Sequence, residues 1–251
     1  MRIKGEKINV NYENIQEFFD TRGAKDNLKS KYSYVLFQDD HPDLAELRDK
    51  QEKEKIVSIL PSLNQGGGQY VLDIGCGIGR WGEYLLQHNF HYVGIDGSAN
   101  LIKIAEENLK IYKSKSLLVG LVQNFLNTLK ENECNNSFDY VFINGVFMYI
   151  NDSDYEKVLV DILKICSKNC IIYSKESMAV KERLTLDNIY SDGLKQNYTA
   201  IYRSINEYKE SQSKVWSKDF VLMAEGELYD RLLQNRKETL DYYFIWKKDN
   251  K

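Results

Sequence analysis

The sequence predicts a doubly wound α/β domain, a mostly parallel sheet with helices on both faces, and three observations carry that expectation. From residue 70 onward, short β-branched or aromatic runs alternate with helical patterns, the order that builds a parallel sheet through right-handed crossovers. The first run passes into VLDIGCGIGRWGEYL, a glycine-rich turn feeding an amphipathic stretch. The chain has 251 residues, 43% of them hydrophobic, enough for a substantial core in one large domain or one domain with an appendage.

Residues 1–62 read as an N-terminal helical cap. A short helix begins near Asn14 and ends at Gly23, the aromatic run KYSYVLFQDDHPD follows, and a longer helix starts at Pro42 with Asp43 and Glu46 in its first turn and stops before Pro61. After the hinge NQGGGQ, residues 63–251 form the main domain. Its strands are expected at Tyr70 to Ile74, His91 to Asp96, Ser116 to Val122, Phe138 to Asn144 and Cys170 to Ser174. Helices are expected at Trp81 to His88, Asn100 to Tyr112, Phe125 to Lys130 and Ser153 to Ser167, the last opened by a Ser153/Glu156 capping box. An insert at about 176–215 exceeds what a crossover requires and is expected to cover a substrate, with a helix from Tyr198 to Lys209. FVLMAEGEL and TLDYYFIWKK read as strands around a helical YDRLLQNRKE.

A formal net charge of −3 with interspersed signs gives no basic footprint, which argues against nucleic acid as a partner. No run reaches the roughly 18 apolar residues of a membrane span, and the first residues lack a signal-peptide core, so the expected location is the cytoplasm. The four cysteines read as free thiols, and the Cys166/Cys170 spacing has no partners for a zinc site. The sequence is silent on oligomeric state.

A strand, a glycine loop and a helix at the start of such a domain make a ligand site, because glycine lets a ligand approach the backbone and the helix start offers free amides. Gly77, Gly79 and Gly82 match the dinucleotide spacing G-x-G-x-x-G, but in that register Asp73 would lie inside the sheet as a buried charge without an evident partner. Read from the strand end, Asp73-Ile74-Gly75-Cys76-Gly77-Ile78-Gly79 resembles the first motif of class I S-adenosylmethionine-dependent methyltransferases. Asp96, closing HYVGID, stands where the family binds the ribose. Gln123, Asn124 and Phe125 fall at its adenine-contacting turn, and FDYVFINGVFMYI, with Asn144, at its fourth strand and the loop beneath the methionine moiety. Gly82 is then a packing position. The resemblance implies S-adenosylmethionine as cofactor, and a Rossmann-like seven-stranded sheet whose last strand, TLDYYFIWKK, is antiparallel.

Asn144 stands where metal-dependent relatives carry an acid, so metal-independent transfer is expected. The acceptor site should lie over the fourth and fifth strands, with Tyr149, Arg183, Tyr190, Tyr198, Tyr202 and Arg203 as substrate-binding residues. The strings KES, RLTLD, NYTAIYRS and FQDDHPDLAELRD look similar to methyltransferases of bacterial capsule and surface-polysaccharide clusters, including those for O-methyl phosphoramidate decoration. That resemblance implies a small polar acceptor, phosphorylated or nucleotide-activated and sugar-related, methylated on O or N. Arg183 and Arg203 would then bind phosphate as planar charged forks. Glu176 would orient or deprotonate the acceptor, with His41 as the alternative base. Two other readings stand beside this one: a nicotinamide-dependent oxidoreductase, and a cofactor-binding but catalytically silent partner protein.

Overall fold

Runs of apolar residues buried on both faces build the central sheet of the protein, whose structure, a computed structural model, describes residues 1–26 and 28–249. The chain order is β1 (Arg2–Lys4), α1 (Tyr12–Gly23), α2 (Ser33–Leu36), α3 (Pro42–Ile59), β2 (Tyr70–Ile74), α4 (Arg80–Gln87), β3 (His91–Asp96), α5 (Ala99–Asn108), β4 (Lys115–Val119), α6 (Phe125–Glu131) and β5 (Phe138–Asn144). Then come α7 (Asp152–Leu163), β6 (Cys166–Ala179), β7 (Leu184–Ser191), β8 (Gln196–Tyr202), α8 (Ile205–Trp216), β9 (Phe220–Glu227) and β10 (Thr239–Lys248). The seven-stranded sheet runs β4-β3-β2-β5-β6-β10-β9. Strands β2 to β6 are parallel, and β10 is inserted antiparallel between β6 and β9. This is the expected Rossmann-like fold with its reversed last strand, and it differs from the parallel 3-2-1-4-5-6 order of dinucleotide-binding sheets.

Because side chains alternate along a strand, each strand supplies both layers of core. Leu72, Ile74, Val141, Ile143, Ile172 and Phe244 enter one apolar cluster. Their neighbours Val71, Tyr140, Phe142, Ile171, Tyr173 and Tyr243 enter the other, against Ile56 of α3 and Trp81 of α4.

Several expected boundaries shift, each for a local reason. The third strand ends at Val119, and a 3-10 turn follows at Val122–Asn124. The fifth strand is longer than expected and includes Cys166. Helix α7 is capped at Asn151, not through a Ser153/Glu156 box, and the Asn151 side chain instead pins Val10 through its amide (2.8 Å) and carbonyl (3.2 Å). The expected helix at Tyr198 to Lys209 divides into strand β8 and helix α8, because a capping box formed by Ser204 and Glu207 starts the helix after the alternating NYTAIY. In YDRLLQNRKE only a 3-10 turn forms, Arg231–Leu233.

The cap is not purely helical. β1 pairs antiparallel with β7, which pairs with β8, so the first residues close a separate three-stranded sheet with the insert. No helix among the described residues is long and apolar enough to cross a membrane.

Candidate functional site

β2 stops at Ile74, and the glycine loop begins at once. Gly75, Gly77 and Gly79 all take positive φ (+76°, +53° and +74°), a region that other L-residues enter at a cost. Space reinforces the demand at Gly75, where a Cβ would be driven into Val146. At Gly79, the N-cap of α4, a Cβ would meet Leu109 at 2.8 Å, and at Gly82 it would meet the Tyr92 ring at 2.7 Å. Gly82 is therefore a packing position, as expected, and Gly79 is an entry to the helix more than a wall of the site.

Asp96 ends β3 facing this loop. Its carboxylate accepts from the amide of Gly77 at 2.8 Å and from that of Ser98 at 2.9 Å. Burial pushes its pKa up to about 6 against the pull of those two amides. Asp73 is buried one residue before the end of β2 and has the partner that sequence reasoning could not supply, the Tyr92 hydroxyl of β3 at 2.7 Å. Burial raises its pKa to about 7, more than the Tyr92 hydrogen bond lowers it.

One cavity extends from this loop across the carboxyl ends of the strands and beneath the cap. Its first half is lined by Asp73, Gly75, Gly77, Asp96, Leu121, Val122, Gln123, Asn144 and Gly145, and is roofed by Tyr12, Gln16 and Phe19 of α1. Two features fit a bound ligand there. The Asn144 amide is buried with neither its oxygen nor its nitrogen hydrogen-bonded, and such groups are paired in finished structures. Next to it Gly145 has φ +71° with nothing within 4 Å of an added Cβ, so backbone is presented to open space.

The second half of the cavity is more polar. Lys175 and Ser177 of β6 share one face with Asp241 of β10: Ser177 Oγ donates to Asp241 at 2.8 Å and Lys175 Nζ lies 3.8 Å from it. Tyr149, Tyr229, Arg48 and Arg236 complete the wall. Arg48 is committed to the Leu233 carbonyl (3.0 Å) and the Asn235 side chain (3.0 Å). Arg236 makes no hydrogen bond or ion pair with another described residue. Burial alone would lower its pKa, but the Tyr202, Tyr198 and Tyr149 phenols and Asp241 raise it.

Beneath the loop, Arg80 bridges Asp49 (2.9 Å) and Glu52 (2.8 Å) of α3, and Glu52 also accepts from Trp81 and Tyr173 at 3.0 Å. Burial opposes ionisation of Glu52, yet Arg80 and Lys175 hold it at about 2. This network fixes cap to core under the cavity.

Residues 72–172 match the family model for a methyltransferase domain. A phosphoethanolamine N-methyltransferase 1 of Triticum aestivum is 34% identical over 130 residues, 51% of this chain and 25% of that protein, and one of Arabidopsis thaliana is 32% identical over 108 residues, 43% and 21%. Residues 72–172 thus carry a methyltransferase domain. The chain spans about a quarter of the length of the curated relatives it matches. In fold, the chain is similar to a Haemonchus contortus phosphoethanolamine N-methyltransferase 1 solved with phosphoethanolamine and S-adenosylhomocysteine, with a TM-score of 0.68 at 17% identity over 94% of this chain and 48% of that one. It is also similar to a Leishmania major S-adenosylmethionine-dependent methyltransferase, with a TM-score of 0.66 at 17% identity over 93% and 82%.

Several expected site residues lie elsewhere. Glu176 is sealed on the opposite face of β6 from Lys175 and Ser177, because the pleat alternates. There it accepts the amides of Val146 and Phe147 at 3.0 Å and of Met148 at 3.2 Å, so it shapes the loop under the cavity and faces no acceptor. Arg183 and Arg203 are buried and converge on Asp152, each at 2.9 Å; Arg183 also binds Glu207, and Arg203 the carbonyls of Phe147 and Ile150. Neither lines this cavity. Phe125 is core, and Asn124 precedes α6 outside the cavity. His41, Tyr190, Tyr198 and Tyr202 line a second cavity.

Gly145, Lys175, Asp241 and Arg236 were missed. An asparagine-glycine pair at a strand end was the available signal for the first, and nothing local marked the others. All four cysteines are free thiols. Among the described residues no group of three or more His, Cys, Asp or Glu is placed to hold a metal ion.

Proposed function

We propose that the methyltransferase moves a methyl group to an N or O atom of a small phosphorylated acceptor lying between Tyr149, Lys175, Asp241 and Arg236. The single observation that carries this is Arg236, a cavity-lining guanidinium with no hydrogen-bond or ion-pair partner among the described residues. An uncommitted planar cation beside phenols is suited to a phosphate-like oxyanion. The phosphoethanolamine N-methyltransferases with which the chain shares sequence act, by name, on a molecule of this class.

S-adenosylmethionine supplies an electrophilic methyl carbon on a sulfonium. In the proposed arrangement Asp96 binds the ribose hydroxyls, the Gly75–Gly77 backbone and Asn144 hold the amino-acid end, and Val122 and Gln123 flank the adenine. α1 covers the cavity and excludes water. The remaining work is alignment of the acceptor, for which effective molarities reach about 10⁵ M or more. Arg236 would fix the anionic end. Asp241, held by Ser177 and Lys175, is the carboxylate on the acceptor side, positioned to accept a proton from an amine or hydroxyl. A role in surface-polysaccharide synthesis rests on the sequence resemblance, and a cytoplasmic location and transfer without a metal on the sequence expectations above; all three are part of this proposal.

The test is transfer of labelled methyl from S-adenosylmethionine to paired acceptors with and without phosphate: phosphoethanolamine against ethanolamine, and sugar 1-phosphates against free sugars. Transfer to a phosphorylated member, lost on removing the phosphate and weakened at least tenfold in KM by Arg236→Ala, is the expected result. Equal transfer to the unphosphorylated partner would overturn the reading, and no transfer to any acceptor would favour the catalytically silent alternative.

A further inference from the structure

Arg236 and Phe37 line two cavities at once. The second lies on the far side of them from the glycine loop, between the β1-β7-β8 sheet and the loop before β10. The partition is thin. Tyr149 in the first cavity is hydrogen-bonded through its hydroxyl to that of Tyr198 in the second (2.9 Å), and Tyr202 donates on to Tyr198 (3.2 Å). A chain of three phenols thus runs from one space to the other beside the uncommitted guanidinium.

The walls of the second cavity have two characters. Asp40 and His41 are exposed, and neither side chain is hydrogen-bonded or ion-paired within the described structure, unlike Asp39, Arg2 and Glu238, which are paired among themselves or with neighbours. The same cavity is lined by Tyr190, 58% exposed, and Leu186. A carboxylate and an imidazole beside an open aromatic face suit a hydroxylated carbon skeleton, whose hydroxyls need acceptors and whose C–H face packs on a ring.

We infer that the second cavity holds a further, polyol or sugar arm of the acceptor, so that the anionic group at Arg236 is a phosphodiester joining that arm to the nucleophile beside the cofactor. This rests on the phosphorylated-acceptor reading above. A phosphomonoester would end at Arg236 and leave the adjoining space to water. A diester has one arm on each side, and its single charge matches one free guanidinium.

Phosphoethanolamine and glycerophosphoethanolamine differ only by the glycerol arm, and are the probes. Both are titrated calorimetrically into the full chain saturated with S-adenosylhomocysteine. Glycerophosphoethanolamine should bind at least tenfold more tightly. The advantage should disappear in Gly193→Trp, which fills the second cavity from a position with open space around its Cβ and no left-handed φ, and shrink in Tyr190→Ala. Affinity for phosphoethanolamine should be unchanged in both. Equal affinities for the two probes in the wild type, or variants that weaken both probes alike, overturn the diester assignment and leave the phosphorylated-acceptor reading standing. Binding of neither probe, with S-adenosylhomocysteine still bound, overturns both.

Discussion

Glu176→Ala removes a carboxylate whose every contact is defined. The three amides it accepts, those of Val146, Phe147 and Met148, lie in a buried turn that no other group is placed to satisfy. Orphaning a buried donor costs about 1–3 kcal/mol, so losing all three should destabilise the fold by about 4 kcal/mol, less whatever solvation of the carboxylate had cost. That cost is visible in its titration. Burial raises the pKa from its usual 4.5 to about 7 despite the amides. An acid raised on folding holds its proton more tightly in the folded state, so its contribution is full below about 4.5 and is lost as pH rises through 7. The span corresponds to about 3 kcal/mol. Glu176→Gln keeps the shape without that titration. Urea unfolding followed by tryptophan fluorescence at pH 4.5, 5.5, 6.5 and 7.5 should therefore show the stability of wild type relative to Glu176→Gln falling as pH rises. Parallel pH profiles for the two, or a loss below about 1 kcal/mol in Glu176→Ala, would refute the assignment.

Gly75→Ala should weaken S-adenosylhomocysteine binding at least tenfold in calorimetry, since the left-handed φ costs about 1–2 kcal/mol and the new methyl meets Val146; Val146→Ala should restore part of the affinity. Arg203→Met should lower unfolding free energy by about 3 kcal/mol or more, because two buried carbonyls lose their donor and Asp152 keeps only Arg183 of its two arginines. The folded fraction should keep its KM for a phosphorylated acceptor, unlike that of an arginine that binds phosphate.

The strands at Tyr70–Ile74, His91–Asp96, Phe138–Asn144 and Thr239–Lys248 were legible to the residue because each is an apolar run between polar or turn-forming ends. β7 and β8 were not read as strands. They form a small sheet in which Asn188, Tyr190 and Asn197 are exposed, and in NYTAIYRS only the Ser204 cap separates strand from helix. Of the residues that line the cavity, Asp96, Asn144, Gly75 and Gly77 could be named from the sequence because the backbone there dictates residue type locally. The acceptor side was not. Whether Lys175 or Glu176 faces the cavity depends on the phase of the pleat, since one residue of shift exchanges the faces. Arg183 and Arg203 look free in one dimension, and only the fold brings Asp152 between them. Arg236 lies in a connection whose neighbours Tyr149, Tyr198, Tyr202 and Asp241 come from the turn after β5, from β8 and from β10, so no local pattern announces it.

The most direct test of the cofactor assignment is calorimetric titration of S-adenosylhomocysteine into the wild-type chain and into Asp96→Ala. Saturable one-site binding to wild type, weakened at least tenfold by the substitution, is the result this site geometry predicts. An absence of binding to wild type, or an affinity unchanged in Asp96→Ala, would contradict it.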